Sequence, residues 1–324
     1  MKVTLRRLVV ALAGAAMLSA SMLVTAADLK KVSVTAIVDH PALNQARDGV
    51  KDELKAAGFE DTKNLDWEYQ SAQGSPATAS QIARHFVGDK ADVIVAIGTP
   101  SAQAALAATK TIPIVYSAVT DPVAAQLVKD WASSGNNVTG VSDLLALDKQ
   151  IALIKQIVPN VKRIGIVYNP GEANSVVVVN SLKAQLAKMN ISLVEAAAPR
   201  TVDVGTAARN LAGKVDVFYT NTDNNVLAAY EALVKVANDA KIPLIGSNTD
   251  TVERGAIAAL GVNYYDLGRQ TGKTVVRILK GEKPAAIASQ TSDKLELFVN
   301  TAAAAKQGVT LSPELIKTAK TVIK

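Results

Sequence analysis

The sequence predicts an α/β protein of two similar lobes, each an open, mostly parallel sheet covered by helices. Three observations lead there. Short runs rich in Val, Ile and Ala alternate with amphipathic helical segments almost without interruption. Many of these runs are continuously apolar, as parallel strands buried on both faces require. The order β-α-β-α-β-α-β also occurs twice, from Val32 to Tyr116 and again from Ile164 to Ile245.

In the first half the expected strands are residues 32–38, 65–69, 92–97 and 112–117, and in the second 163–168, 192–196, 216–220, 243–245 and 256–260. Helices are expected between them at 44–57, 78–87, 101–108, 148–158, 174–188 and 226–240. Residues 136–143, rich in Gly, Asn and Ser, read as a break in the series. That break argues against a closed eight-stranded barrel, whose alternation is continuous. Helical segments at 265–280 and 313–323 are left over, so the chain is expected to revisit the first lobe and then the second. The expected division is residues 28–143 with 262–290 in one lobe and 144–261 with 291–324 in the other. Several parallel crossings of this kind make a hinge.

The N-terminus reads as a secretory leader over residues 1–27. Lys2, Arg6 and Arg7 precede an Ala-rich apolar run that ends at Val24-Thr25-Ala26 before a polar segment. The run is short and poor in Leu and Ile for a membrane anchor. Three of the six net positive charges belong to this leader; the rest are scattered, and nothing suggests nucleic acid as a partner. The absence of Cys removes disulfides, thiolate metal sites, Cys nucleophiles and a lipid-bearing Cys together. A freely diffusing periplasmic protein is the expectation. Roughly 300 residues remain, enough for two domains of ordinary size.

In open α/β sheets ligands meet the carboxyl ends of strands. The residues there are Asp39-His40-Pro41, Gly98-Thr99-Pro100-Ser101 and Val119-Thr120-Asp121-Pro122 in the first half. In the second they are Asn169-Pro170-Gly171-Glu172-Ala173-Asn174-Ser175, Asn221-Thr222-Asp223-Asn224 and Ser247-Asn248-Thr249-Asp250. Each small polar residue alone reads first as a helix N-cap. Collectively, amides and hydroxyls at helix starts attract a carboxylate, while Asp side chains attract an ammonium. Thr99, Ser101, Asn174 and Ser175 suit the former, and Asp223 and Asp250 the latter. The combination suits a zwitterionic amino acid. Thr120, Asp121, Thr222, Ser247 and His40 complete the candidate set. Tyr116, Tyr168 and Tyr219 lie at or near strand ends, where they would serve equally as aromatic walls or as core residues. Trp67 and Trp131 read as structural.

Positive signs of catalysis are absent from the sequence. His40 and His85 lie on different segments and outside any metal-ligand spacing, and no G-x-S-x-G elbow occurs. Gly165 lies within a strand and opens no dinucleotide loop. No cofactor and no metal are expected.

The segments Val38-Asp39-His40-Pro41-Ala42-Leu43, Ala96-Ile97-Gly98-Thr99-Pro100-Ser101-Ala102-Gln103 and Val119-Thr120-Asp121-Pro122-Val123 carry a family pattern. Asn136 to Asp143, Tyr168 to Ser175, Thr222-Asp223-Asn224, Gly255 to Gly261 and Leu279 to Pro284 continue it in order. Together they resemble the ABC-transporter substrate-binding family that includes tryptophan-binding, periplasmic-type proteins. The resemblance implies a type I periplasmic-binding-protein fold, two Rossmann-like lobes joined by a multi-strand hinge, with the ligand enclosed between them. It also implies an inner-membrane permease and its ATPase as partners, and aromatic amino acids among the ligands. On this pattern Thr99 and Ser101 would be first-lobe contacts, faced by Asn174, Ser175, Asp223 and Asp250. Relatives often have an acidic residue where this chain has Asn248, a departure at the expected ammonium site. The alternatives are a ligand-sensing partner of a membrane receptor, built on the same fold, and the same importer role with a ligand other than an amino acid.

Overall fold

The computed structural model describes residues 29–132, 134–292 and 294–324, so the expected leader lies outside the described residues. The first lobe begins with β1 (Lys30–Ala36), α1 (Pro41–Ala56), β2 (Leu65–Ser71), α2 (Pro76–Gly88) and β3 (Val93–Ile97). It continues through α3 (Thr99–Ala108), β4 (Ile114–Ser117) and β5 (Val138–Ser142). The second lobe holds α4 (Leu147–Ile157), β6 (Arg163–Tyr168), α5 (Ala173–Ala187), β7 (Ser192–Ala197), α6 (Val204–Leu211) and β8 (Val217–Thr220). There follow α7 (Asn224–Ala228), α8 (Tyr230–Ala240), β9 (Leu244–Gly246), α9 (Asp250–Glu253) and β10 (Ala258–Val262). The chain then returns to the first lobe with α10 (Tyr264–Leu279) and β11 (Gln290–Thr291). It ends in the second with β12 (Leu295–Asn300), α11 (Thr301–Lys306), α12 (Pro313–Thr318) and β13 (Thr321–Ile323).

The first sheet has the order β11-β5-β4-β3-β1-β2 and is parallel throughout. The second, β13-β12-β10-β9-β8-β6-β7, is parallel except where β12 runs against β10. Strand order reverses between β1 and β3 in one sheet and between β6 and β8 in the other. Loops leaving neighbouring strands diverge at such a reversal and open a crevice. The loops carrying His40, Thr99, Glu172, Asn174 and Thr222 leave those four strands.

Branched aliphatics fill both interiors, Ile94, Ile97 and Ile114 in one lobe and Ile151, Ile164 and Ile166 in the other. The helix that returns to the first lobe is seated by close backbone approach. A Cβ at Gly268 of α10 would stand 2.1 Å from the Ala46 carbonyl oxygen of α1, so only glycine permits this contact.

Three stretches depart from the sequence expectation. Residues 136–143 are no break: they contain β5, wholly buried beside β4. A Cβ at Gly140 would lie 2.1 Å from the Tyr116 carbonyl oxygen, so the glycine that suggested a loop is a packing requirement. The expected helix at 226–240 is divided at Ala229. The expected helix at 313–323 stops at Thr318, after which β-branched Thr321, Val322 and Ile323 pair with Phe298, Val299 and Asn300.

Candidate functional site

The lobes meet at their loop ends. Thr120, after β4, and Thr222, after β8, bring their hydroxyl oxygens to 3.0 Å across the interface. The Thr120 hydroxyl donates to Asp143 Oδ1 at 3.0 Å, so it accepts from Thr222. Tyr264 donates to Asp143 Oδ2 at 2.8 Å. Asp143 lies on the first crossing between lobes and Tyr264 just after the second, so this bond ties two hinge segments together.

Two small cavities flank the threonine pair and share Thr120, Asp143 and Thr222 as walls. One is polar: His40, Asn174, Asn224, Asn248 and Tyr264 line it, with Leu43, Ala118 and Leu227. The other adds Leu145, Leu147, Val178 and Tyr219, with Asn221 and Ser247 as its further polar walls. Each has a volume of about 10 Å3, room for the centre of one water molecule.

Several buried polar atoms around these cavities lack a hydrogen-bond partner. They are Asn174 Oδ1, Asn221 Oδ1, Asn248 Nδ2 and both ring nitrogens of His40. Such groups are rare because each forfeits its interaction with water. Neighbouring acceptors fix the orientation of the Asn174 amide. Asn174 Nδ2 donates to Glu172 Oε2 and to the Thr222 carbonyl, both pure acceptors, leaving Oδ1 as the free acceptor. The Ser247 hydroxyl bonds Asn248 Oδ1, and Asn248 Nδ2 has no partner.

Carboxylates crowd the second-lobe side. Glu172 Oε2 accepts from Asn174 and from both the backbone and side chain of Asn224. Burial pushes the Glu172 carboxyl well above its ordinary range, and the charge of nearby Asp223 adds to the effect. Burial likewise raises Asp223 and Asp143. On the first lobe, burial lowers His40 to about 4, with the Arg254 charge acting in the same direction, so its imidazole is neutral.

The candidate residues divide accordingly. His40, Thr120, Asn174, Thr222 and Ser247 line the paired cavities. Ser175 lies directly behind and donates to Asp223 Oδ2 at 2.6 Å. Asp223 is fully buried and accepts further from the Asn169 and Val226 amides, as the N-cap of α7. Its oxygens are therefore turned inward, away from the interface. Asp121 caps the turn that follows it, accepting from the Val123 and Ala124 amides. Asp250 faces a separate 220 Å3 cavity with Pro41, Gln45 and Arg254; burial raises its carboxyl to about 6. Thr99 and Ser101 are buried in the first turn of α3, their hydroxyls unpaired, outside the walls of either cavity. Of the tyrosines, Tyr219 is a wall, Tyr116 is core, and Tyr168 turns outward to Glu195.

Asp143, Glu172, Asn221, Asn224 and Tyr264 lie outside the set of sequence candidates. Glu172, Asn221 and Asn224 stood in strand-end loops, but nothing in the sequence separates a lining Asn from a capping one. Tyr264 gave no signal, because its role depends on a crossing 121 residues after Asp143.

Outside the paired cavities, a 540 Å3 groove lies between α2 and α3 on one lobe and the loops after β6 and β7 on the other. On the surface of the first lobe, Glu68, His85 and Asp89 each bring a potential ligand atom within 4.8 Å of the others. Lys31 Nζ already lies 3.1 Å from Asp89 there.

The family described as ABC transporter substrate binding protein matches residues 31–323. A tyrosine-binding protein of Clostridioides difficile is 41% identical over 271 residues, 84% of this chain and 79% of that protein. A Streptococcus pneumonia ABC domain crystallised in complex with L-Trp is 33% identical, covers 91% of this chain and 99% of its own, and superposes with a TM-score of 0.87. A ligand-free, open substrate-binding protein from Clostridium difficile is 40% identical over 91% of this chain and 99% of its own, yet superposes at only 0.68. The less identical liganded structure is thus the better match, in keeping with lobes in contact here.

Proposed function

Because the chain belongs to the ABC transporter substrate-binding protein family and has its type I periplasmic-binding-protein fold, we propose that it captures an aromatic amino acid between its lobes and delivers it to an ABC importer. The observation that carries this reading is the set of unpaired atoms around the threonine pair. A free acceptor, Asn174 Oδ1, stands beside the Glu172 carboxyl and suits an ammonium. A free donor, Asn248 Nδ2, suits a carboxylate. Asn248 carries no negative charge, and the Glu172 carboxyl bonded to Asn174 supplies it on that side. The apolar walls of the adjoining cavity suit a ring. The tyrosine-binding and L-Trp-bound relatives agree with that choice.

The mechanism is binding without turnover. Neither cavity admits a guest of amino-acid size as the lobes now stand, so entry requires them to part about the three crossings. Closure then seals the guest, whose charged ends the second lobe holds at Asn174 and Asn248, against His40 and Thr120 of the first lobe. The ligand shifts this equilibrium only through its tighter hold on the closed form. In this reading the mature protein, residues 28 onward, works outside the inner membrane, and its closed form docks on the permease, which the ATPase drives. In this reading the lobes divide after Asp143, after β10 ends at Val262 and after β11 ends at Thr291, within one residue of the expected 143/144, 261/262 and 290/291, so all three linkers flex together.

Thermal-shift screening against the twenty amino acids tests the proposal. Stabilisation by L-Tyr, L-Trp or L-Phe, and not by Gly or Glu, is the expected result. A flat response to all twenty removes the amino-acid assignment.

A further inference from the structure

Resting on that reading, we infer that Asn221 reads a hydrogen-bond donor on the ligand's ring and makes the site selective for tyrosine or tryptophan over phenylalanine. Asn221 is 2% exposed and lines the more apolar of the two cavities with Leu145, Leu147, Val178 and Tyr219. Its amide cannot turn freely. Ser175 spends its only proton on the Asp223 carboxylate at 2.6 Å, so its oxygen accepts from Asn221 Nδ2 at 3.2 Å. That leaves Oδ1 as a buried acceptor with no partner. A buried orphan acceptor in an apolar wall costs free energy unless a guest supplies an N–H or O–H.

The zwitterionic end does not need this acceptor, because Asn174 Oδ1 and Asn248 Nδ2 lie on the other cavity, beyond the threonine pair. With the charged end there, the ring points toward Val178 and Tyr219, and a donor at its edge meets Asn221. Phenol and indole both carry such a donor, and phenyl does not. Tyrosine and L-Trp are the amino acids named for the two relatives, and both have it. A pocket built to hydrogen-bond a ring donor rejects the analogue lacking it more strongly than one that measures size alone.

The test is calorimetric titration of the full mature protein with L-Tyr, L-Trp and L-Phe, in the native sequence and in Asn221→Ala and Asn221→Asp. The native protein should bind Tyr or Trp at least about tenfold more tightly than Phe. Asn221→Ala should bring that ratio toward one, and Asn221→Asp, which keeps an acceptor, should retain it. Equal affinity for all three ligands in the native protein overturns the inference while leaving the aromatic reading intact. So does an unchanged ratio in Asn221→Ala. Absence of binding by all three removes the underlying reading. The native ratio decides even if the alanine variant fails to fold.

Discussion

The hydroxyl of Thr222 donates to that of Thr120 across the lobe interface at 3.0 Å, and Thr120 passes the polarity on to Asp143. One relay thus joins the second lobe, the first lobe and a hinge segment. It also separates the polar cavity from the more apolar one, so a guest spanning both must displace it.

Thr222→Val removes the donor while its backbone carbonyl still receives Asn174. One neutral hydrogen bond is worth about 1 kcal/mol. The unliganded closed form should lose roughly that much against the open form. Small-angle scattering should show a larger radius of gyration than in the native protein without ligand, and a larger decrease once ligand is added.

Glu172 gives the apo protein an unusual dependence on pH. Its carboxyl lies above the ordinary 4.5 because it is buried beside Asp223, so the fold favours the protonated form. That stability is fully present below the ordinary value and is lost as pH rises through the raised one. Glu172→Gln should flatten this loss in thermal melts of the apo protein. It should also weaken amino-acid binding at neutral pH, where the carboxylate would meet the ammonium.

His40 acts in the opposite sense. Buried and neutral, it titrates near 4 instead of 6.5. Its contribution is fully present above 6.5 and is lost as pH falls through about 4, by up to ~3 kcal/mol. His40→Gln should melt with less acid sensitivity between those limits. An unchanged acid limb would place the imidazole in contact with solvent.

Gly268→Ala should lower thermal stability, because its Cβ would meet the Ala46 carbonyl at 2.1 Å and force α10 away from α1. Overpacking of this kind costs about 1–3 kcal/mol. Circular dichroism melts of the variant give the measurement.

The sequence made the repeated α/β order and most strand positions legible, because buried parallel strands are continuous apolar runs. It concealed β5, whose Gly140 looks like punctuation until the Tyr116 carbonyl is seen against it. It pointed to strand-end loops such as Asn221-Thr222-Asp223-Asn224, which the fold brings to the lobe interface, yet the arrangement within that loop was not legible. Asp223 is the more suggestive residue, but Asn169, Ser175 and Val226 occupy its oxygens. Which member of a polar run caps a helix and which faces a partner lobe is a matter of geometry that spacing does not encode. Asp143 and Tyr264 meet only because the chain crosses between lobes repeatedly.

A crystal structure with L-tyrosine bound tests the central claim most directly. The account predicts the ammonium at Asn174 Oδ1 beside Glu172, the carboxylate at Asn248 Nδ2, and the ring among Leu145, Leu147, Val178 and Tyr219. Thr120 and Thr222 would then stand further apart than 3.0 Å. Tyrosine lodged instead in the outer groove between α2, α3 and the loops after β6 and β7, with the threonine pair intact, would contradict it.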